Sequence, residues 1–366
     1  MLIADALVMT CGEAGLGLLP GGAVLVEDAR IAWVGPTADA PAGAGPRVEA
    51  EGRLLTPGLV DAHAHPIFGG ERAAEFAQRA QGCSYQEIAA RGGGILSTVR
   101  ATREASDEML LAGARARLSR AVAHGTTTME AKTGYALSVD GELRLLALLG
   151  RLGPPTLRPS LLGAHAVPPE IPRADYVAAC AGPMLDGAAG AAAVDVFCDE
   201  GAFTLEEART ILTAAKARGF AVRAHAGQFA DLGAAGLVAS LGGLSADHLE
   251  HVSEEQALAM AAAGTIATLL PGACVQLRLP PPPVVRLRAA GCRFALGTDL
   301  NPGSSMSESL PLQMWLATTH LGLTVEEAWL AVTRDAARAA GRPEAGRLLA
   351  GAPADLVLWD ATDYRT

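Results

Sequence analysis

The chain has 366 residues, 50% of them hydrophobic, and a formal net charge of −10. That length is enough to bury a large core and allows one big α/β domain plus a small one. The negative charge argues against nucleic acid, whose partners neutralise phosphates with Lys and Arg, and no apolar run approaches the ~20 residues of a membrane helix.

The opening, MLIADALVMTCGEAG, has no basic stretch and carries an early Asp5, so no signal peptide is expected. Residues 1–56 read as short strands broken by glycine: LIADALVMT, GGAVLVEDARIAWVG and RVEAEGRLLTPG. GRLLAGAPADLVLWD, at 346–360, has the same character. The two ends form either unrelated hairpins or one small sandwich. The division followed here is a composite β-sandwich from 1–56 plus 341–366, with a catalytic domain over 57–340 inserted between them.

Within that insertion, eight short apolar strands alternate with Ala-rich stretches of helical period. They are GLVDAHAH (58–65), TTTMEA (126–131), PSLLGAH (159–165), VDVFCDE (194–200), AVRAHAG (221–227), SADHLEH (245–251), TIATLLPG (265–272) and RFALGTD (293–299). Eightfold strand–helix alternation predicts an α/β fold of the closed (β/α)₈ TIM type. No GxGxxG follows the first strand, which weakens the rival, an open doubly wound sheet. The six cysteines form no CxxC pair, and scattered thiols suit a reducing, cytoplasmic compartment.

His63, His65, His165, His225, His248 and Asp299 all fall at or near the C-terminal end of a predicted strand. In a barrel those ends share the face that carries the active site. The imidazoles of HAH, two apart on a strand, point the same way. HxH alone is weak. With TPGLVD before it, and with His225 and Asp299 at other strand ends, it predicts a site for one zinc or iron ion. A divalent ion lowers the pKa of a water bound to it to about 7. Asp299 then serves as general base and carries the proton to the leaving nitrogen. His248 is read as the group that polarises the carbonyl under attack, in preference to a fourth ligand or a buried structural residue.

Other residues complete the site on paper. His165 contacts ring or carbonyl, or else is a satisfied outer imidazole. Arg72, closing FGGER, is an anchor for a carboxylate, or else a solvated loop cation. Tyr135 follows the second strand. Asn301, Gly303 and Ser304 in TDLNPGSS form a turn whose backbone N–H groups suit an anion, or a plain turn. Lys132, one of only two lysines, sits inside a motif and is singled out without a role.

At this point the residues resemble the imidazolonepropionases of the amidohydrolase superfamily. The stretches that carry the resemblance are LLTPGLVDAHAHPIFGGER, GCSYQEIAARGGGILSTVRATR, HGTTTMEAKTGYAL, LLGAHAVPPE, VDVFCDEGAF, RAHAGQF, GGLSADHLEH, GTIATLLPGA and LGTDLNPGSS, in family order from about 54 to 305. The resemblance implies hydrolysis of 4-imidazolone-5-propanoate to N-formimino-L-glutamate, the third step of histidine breakdown. It implies one zinc or iron ion on His63, His65, His225 and Asp299. It implies substrate contacts from Arg72, Tyr135, His165, Gln228, His248, Asn301, Gly303 and Ser304. A homodimer acting on a small-molecule substrate is expected, with no membrane and no nucleic acid as partner.

Three departures from the family pattern stand out. The run HAGQ has Gly227 and Gln228 where an acidic residue usually follows HA, so an outer carboxylate is expected to be lost and the base must be Asp299. Asp199 stands where Glu is common. Relatives continue into further sandwich strands beyond the DATDYRT at which this sequence stops. The competing readings are a cyclic amidine deaminase with the same ligands, a metal-free scaffold relative and a binuclear hydrolase with a carbamylated lysine. The intact ligand set weighs against the scaffold, and the lack of a lysine on the fourth strand weighs against the binuclear site.

Overall fold

The computed structural model describes residues 1–42, 45–83, 87 and 93–365. GCSYQEIAARGGGILSTV therefore lies partly outside the described residues. β1 (Leu2–Met9), β2 (Leu18–Glu27), β3 (Arg30–Pro36), β4 (Arg47–Glu49), β5 (Leu54–Pro57) and β14 (Leu356–Leu358) form a mixed sheet. Its order is β14–β5–β1–β2–β3, with β4 beside β1. β14 runs antiparallel to β5, pairing Leu356 with Pro57 and Leu358 with Leu55. The early strands and the late one thus share one sheet and are not separate hairpins. Ile3, Val8, Val24, Ile31, Leu55 and Leu348 form its apolar core.

The second sheet has eight parallel strands: β6 (Leu59–Ala64), β7 (Thr126–Lys132), β8 (Thr156–Ala164), β9 (Ala193–Cys198), β10 (Ala221–Ala226), β11 (Ser245–His248), β12 (Ile266–Leu269) and β13 (Phe294–Leu296). All eight predicted strands are present. Three stop three residues earlier than the sequence pattern, at His248, Leu269 and Leu296; after Leu269 the chain enters a helix that begins at Pro271. At the other two the reason is local: His248 (φ 80°), Leu249 (φ 71°) and Asp299 (φ 48°) adopt left-handed backbone, which cannot continue a ladder.

Helices cover the outside of the barrel, and their ends are encoded locally. Leu205–Ala217 starts at a Thr204/Glu207 capping box and buries Ala208, Ile211, Leu212 and Ala215, a 3–4 stripe, against β9 and β10. The hydroxyls of Ser106 and Ser138 cap Asp107–Ala123 and Val139–Leu149 by accepting from the Met109 and Gly141 N–H groups. The barrel closes where β6 meets the chain beyond β13. The Asp299 N–H donates to the His63 carbonyl and the His65 N–H to the Leu300 carbonyl, both at 2.9 Å. Among the described residues no helix is long and apolar enough to cross a membrane.

Candidate active site and metal centre

Side chains two apart on a strand share a face, and on the inward faces here they form stacked layers. Asp61, His63 and His65 rise along β6, Glu130 and Lys132 along β7, Asp195 and Phe197 along β9, Arg223 and His225 along β10, and Ser245 and Asp247 along β11. The register sets Arg223 beside Asp195 and His225 beside Asp247. The imidazoles occupy the layer at the strand ends, and the charged residues lie beneath.

The predicted ligands converge. The His63 and His225 ring centres are 4.4 Å apart, and those of His63 and His65 are 5.3 Å apart. Oδ1 of Asp299 lies 3.5 Å from Nε2 of both His63 and His65. Two groups of donor atoms are close enough to share an ion: His63, His65 and Asp299, and His63, His225 and His248. His63 belongs to both. Its Nε2 is buried and has no hydrogen-bond partner among the described residues. Buried polar atoms are rarely left so unless something else binds them, so the donor set fits a divalent ion.

The outer ring nitrogens are fixed by carboxylates. Nδ1 of His63 is 2.7 Å from Oδ2 of Asp247, and Nδ1 of His225 is 3.2 Å from Oδ1 of Asp195. Each pairing leaves Nε2 free for an ion. Lys132 Nζ reaches Asp195 at 2.5 Å, Glu130 at 3.1 Å and Asp247 at 3.6 Å. Arg223 pairs with Glu130 at 2.7 Å and donates to Ser245 Oγ at 2.7 Å. Three carboxylates thus face two cations, all buried, and the surplus negative charge favours a cation above them.

The charge states follow from this packing. Burial pushes the Asp195 and Asp247 carboxyls up but is outweighed, chiefly by Lys132 for Asp195 and by Arg223 for Asp247. Both are held below the usual carboxylate range. Burial pushes Lys132 down, and Asp195 and Glu130 more than restore it, so it stays a cation. A lysine so paired is no candidate for carbamylation. Burial lowers His225 well below the ordinary value and takes His165 to about 3. Asp61 is raised by burial to about 6. It accepts from the Thr298 N–H at 2.9 Å and hydroxyl at 2.6 Å, pinning β6 to the seam.

A cavity of about 250 Å³ opens on this layer, lined by His65, Arg72, Tyr135, His165, His225, Gln228, His248, Asp299, Asn301, Gly303 and Ser304 among others. Every residue singled out for substrate contact reaches it. Arg72 is 7% exposed and so is no solvated loop cation. Its Nε and Nη2 donate to Glu75 Oε2 at 2.8 and 2.6 Å. Glu75 is itself held by the Gly94 N–H and the Ser97 hydroxyl. Nη1 of Arg72 packs against Gly303, where a Cβ would collide with it. The turn after Asp299 differs from the sequence reading in one respect. The N–H groups of Gly303 and Ser304 donate to Asn301 Oδ1 at 2.8 and 2.7 Å, so an anion there would meet Arg72 and not those amides. Ser304 Oγ donates to Asp299 Oδ2 at 3.1 Å. His165 is satisfied on one side, with Nδ1 2.9 Å from the Gly134 carbonyl, and stacks on His65.

The HAGQ departure has a structural rationale. Gly227 has φ 69°, a left-handed position that favours glycine. Asp199 replaces the missing anchor: its two oxygens accept the N–H groups of Gln228, Phe229 and Ala230 at 2.7, 3.0 and 2.9 Å. Reading the sequence alone missed Asp195, Glu130, Arg223 and the pairing role of Asp247. An acidic or basic residue inside an otherwise apolar parallel strand was the available signal, because such strands are buried on both faces. Phe197, 5.3 Å from the His225 ring, was missed with them.

Comparison with known proteins bears on the whole chain. An amidohydrolase family profile matches residues 92–365, and a profile for the bacterial imidazolonepropionase-like composite domain matches residues 22–42. The chain is 47% identical to an imidazolonepropionase of Acidiphilium cryptum, over 97% of this chain and 91% of that one. It is 47% identical to an imidazolonepropionase of Paracoccus denitrificans, over 98% and 93%. Among solved structures, 5-methylcytosine deaminase of Klebsiella pneumoniae shares the fold with a TM-score of 0.75 at 16% identity, covering 100% of this chain and 92% of that one. An adenosine deaminase from Xanthomonas campestris with bound zinc matches with a TM-score of 0.70 at 22% identity, covering 98% and 84%. The His/Asp cluster is one that could hold a metal ion, and with identity of this size along nearly the full length of both partners, the chain belongs to the imidazolonepropionase family of amidohydrolases.

Proposed function

We infer that the chain hydrolyses 4-imidazolone-5-propanoate to N-formimino-L-glutamate in histidine degradation. The observation that carries this reading is a buried His/Asp cluster opening on the same cavity as a buried arginine. One end suits hydrolysis of a C–N bond and the other suits the propionate. One zinc or iron ion would be held by His63, His65, His225 and Asp299, and when bound it supplies a nucleophilic water at neutral pH.

The chain's own residues do the rest. Asp299 takes a proton from the attacking water and returns it to the ring nitrogen released as the C–N bond opens. His248 donates to the oxygen that gains negative charge. Arg72, held by Glu75, binds the substrate carboxylate through its remaining N–H groups. Tyr135, His165, Gln228, Asn301, Gly303 and Ser304 shape the pocket around the ring. Gln228 orients but does not titrate. The same reading assigns 1–56 and 341–366 to the end domain and 57–340 to the barrel. It also makes the enzyme a cytoplasmic homodimer without a nucleic-acid partner, in keeping with its net charge of −10.

The test is turnover of enzymatically generated imidazolonepropionate, with metal content measured in every variant. Asp299→Asn keeps an oxygen ligand and deletes the base, so turnover should nearly vanish where metal remains. Gln228→Glu should stay within about tenfold of the parent. Arg72→Ala should raise KM by an amount equivalent to about 2–4 kcal/mol. Substantial turnover by metal-loaded Asp299→Asn would move the base elsewhere, and an unchanged KM in Arg72→Ala would remove the carboxylate anchor.

A further inference from the structure

The turn that ends β11 carries a carboxylate that none of the steps above uses. Glu250 is 6% exposed, and neither of its oxygens hydrogen-bonds to a described residue. Its Oε1 lies 3.8 Å from Nδ1 of His248, which is likewise buried without a partner. A buried carboxylate with no donor is among the costliest groups a fold can keep. Here it faces a ring nitrogen in the same condition, and the two stop just short of contact.

The backbone at this position is built for the encounter. His248 and Leu249 both hold left-handed backbone, which large side chains rarely adopt. The turn is fastened to the end of β10 by Leu249 N–H to the Ala226 carbonyl at 3.0 Å and His251 N–H to the Gly227 carbonyl at 2.9 Å. Two strained residues, locked to the strand that carries His225, bring Glu250 back to His248. The neighbouring Cys274 remains a neutral thiol, pushed up to about 12 by burial and by Glu250, and so brings no charge to this corner. His63, His225 and His165 already have Nδ1 partners in Asp247, Asp195 and the Gly134 carbonyl.

We propose that Glu250 is the positioning residue for His248, accepting its Nδ1–H and thereby fixing the plane of the ring and directing Nε2 to the substrate oxygen that gains charge. The 3.8 Å separation fits a bond that shortens when substrate fills the cavity, as such contacts often do. The proposal rests on the reading of His248 as the donor.

The test compares Glu250→Gln, His248→Gln and the double variant in the metal-loaded enzyme. Glu250→Gln keeps the shape and removes the charge. It should lower kcat about 10- to 100-fold, the usual cost of losing an orienting carboxylate, with KM changed less than about threefold. Metal content should be unchanged, and the melting temperature equal or higher, because the deleted charge was unpaired. Glu250→Asp should retain more activity than Glu250→Gln. In the His248→Gln background, Glu250→Gln should change kcat less than about twofold. A Glu250→Gln enzyme that turns over at the parental rate overturns the proposal. So does one that unfolds or loses metal, since the carboxylate would then be structural. If His248→Gln slows turnover and Glu250→Gln does not, only the proposal fails. If His248→Gln has no effect, the reading of His248 fails and the proposal with it.

Discussion

Asp61, Glu130, Lys132, Asp195, Arg223 and Asp247 lie at the centre of the barrel, each no more than 1% exposed, whereas the end sheet packs Val8, Val24, Ile31 and Leu55 at the same depth of burial. The two interiors are equally dry and chemically opposite. Apolar packing is the cheaper way to stabilise a fold, because a buried ion pair must first overcome its own desolvation. A barrel core filled with charges is therefore built for something besides stability. The contacts say what: two of those carboxylates hold the His63 and His225 imidazoles, and the cations hold the carboxylates.

Substitutions that break one interior at a time sharpen this contrast. Lys132→Met should have the largest effect. It strands Asp195 and Glu130 beside Arg223 alone, so the metal-free protein should lose about 3–5 kcal/mol of stability. Metal affinity in the folded fraction should also fall roughly 10–100-fold as the outer carboxylates lose their anchor. Denaturation and chelator competition measure the two separately, and unchanged metal affinity would reduce the network to mere packing. Leu55→Ala in the end sheet should cost about 2–5 kcal/mol and leave kcat, KM and metal affinity as they are. A kinetic effect there would mean that the two interiors are coupled.

The smallest effect concerns pH. Burial lowers His165 from 6.5 to about 3. Between those values the unfolded chain binds a proton that the folded chain does not, so this contribution to stability is full above pH 6.5 and falls as pH drops toward 3. His165→Asn should flatten that part of the stability profile by at most about 1.4 kcal/mol per pH unit. A parallel profile would show that His165 protonates freely in the fold. The end sheet, which buries no histidine, contributes nothing to this slope.

Much of the barrel was legible because parallel strands write themselves as short apolar runs, and the proposed ligands stand out as polar residues at the ends of those runs. The end of a strand was harder to see. SADHLEH reads as one continuous strand to 251, yet the chain turns at His248 because that residue and Leu249 adopt positive φ, and no residue type there signals it. Glu250 was hidden by the same turn. The charged floor was hidden for another reason. Asp195, Lys132 and Arg223 meet only through the register of neighbouring strands, and register depends on the whole sheet. Gly227 was read as the loss of a carboxylate, when its positive φ and the four-donor grip of Asp199 show a turn assembled differently.

The seam of the barrel has a consequence for how the protein comes into being. His63 and His65 sit on the first barrel strand, and the carboxylate they share stands just after the last, fastened there by the bonds between Asp299 and His63 and between Leu300 and His65. During synthesis the histidine pair emerges well before Asp299, and the ligand set proposed above cannot be complete until the eighth strand has been made and docked. A nascent or broken ring holds at most a weak, incomplete claim on a metal ion. With the ligands proposed above, tight metal capture would be a certificate of finished folding, issued only when the two ends of the barrel have found each other.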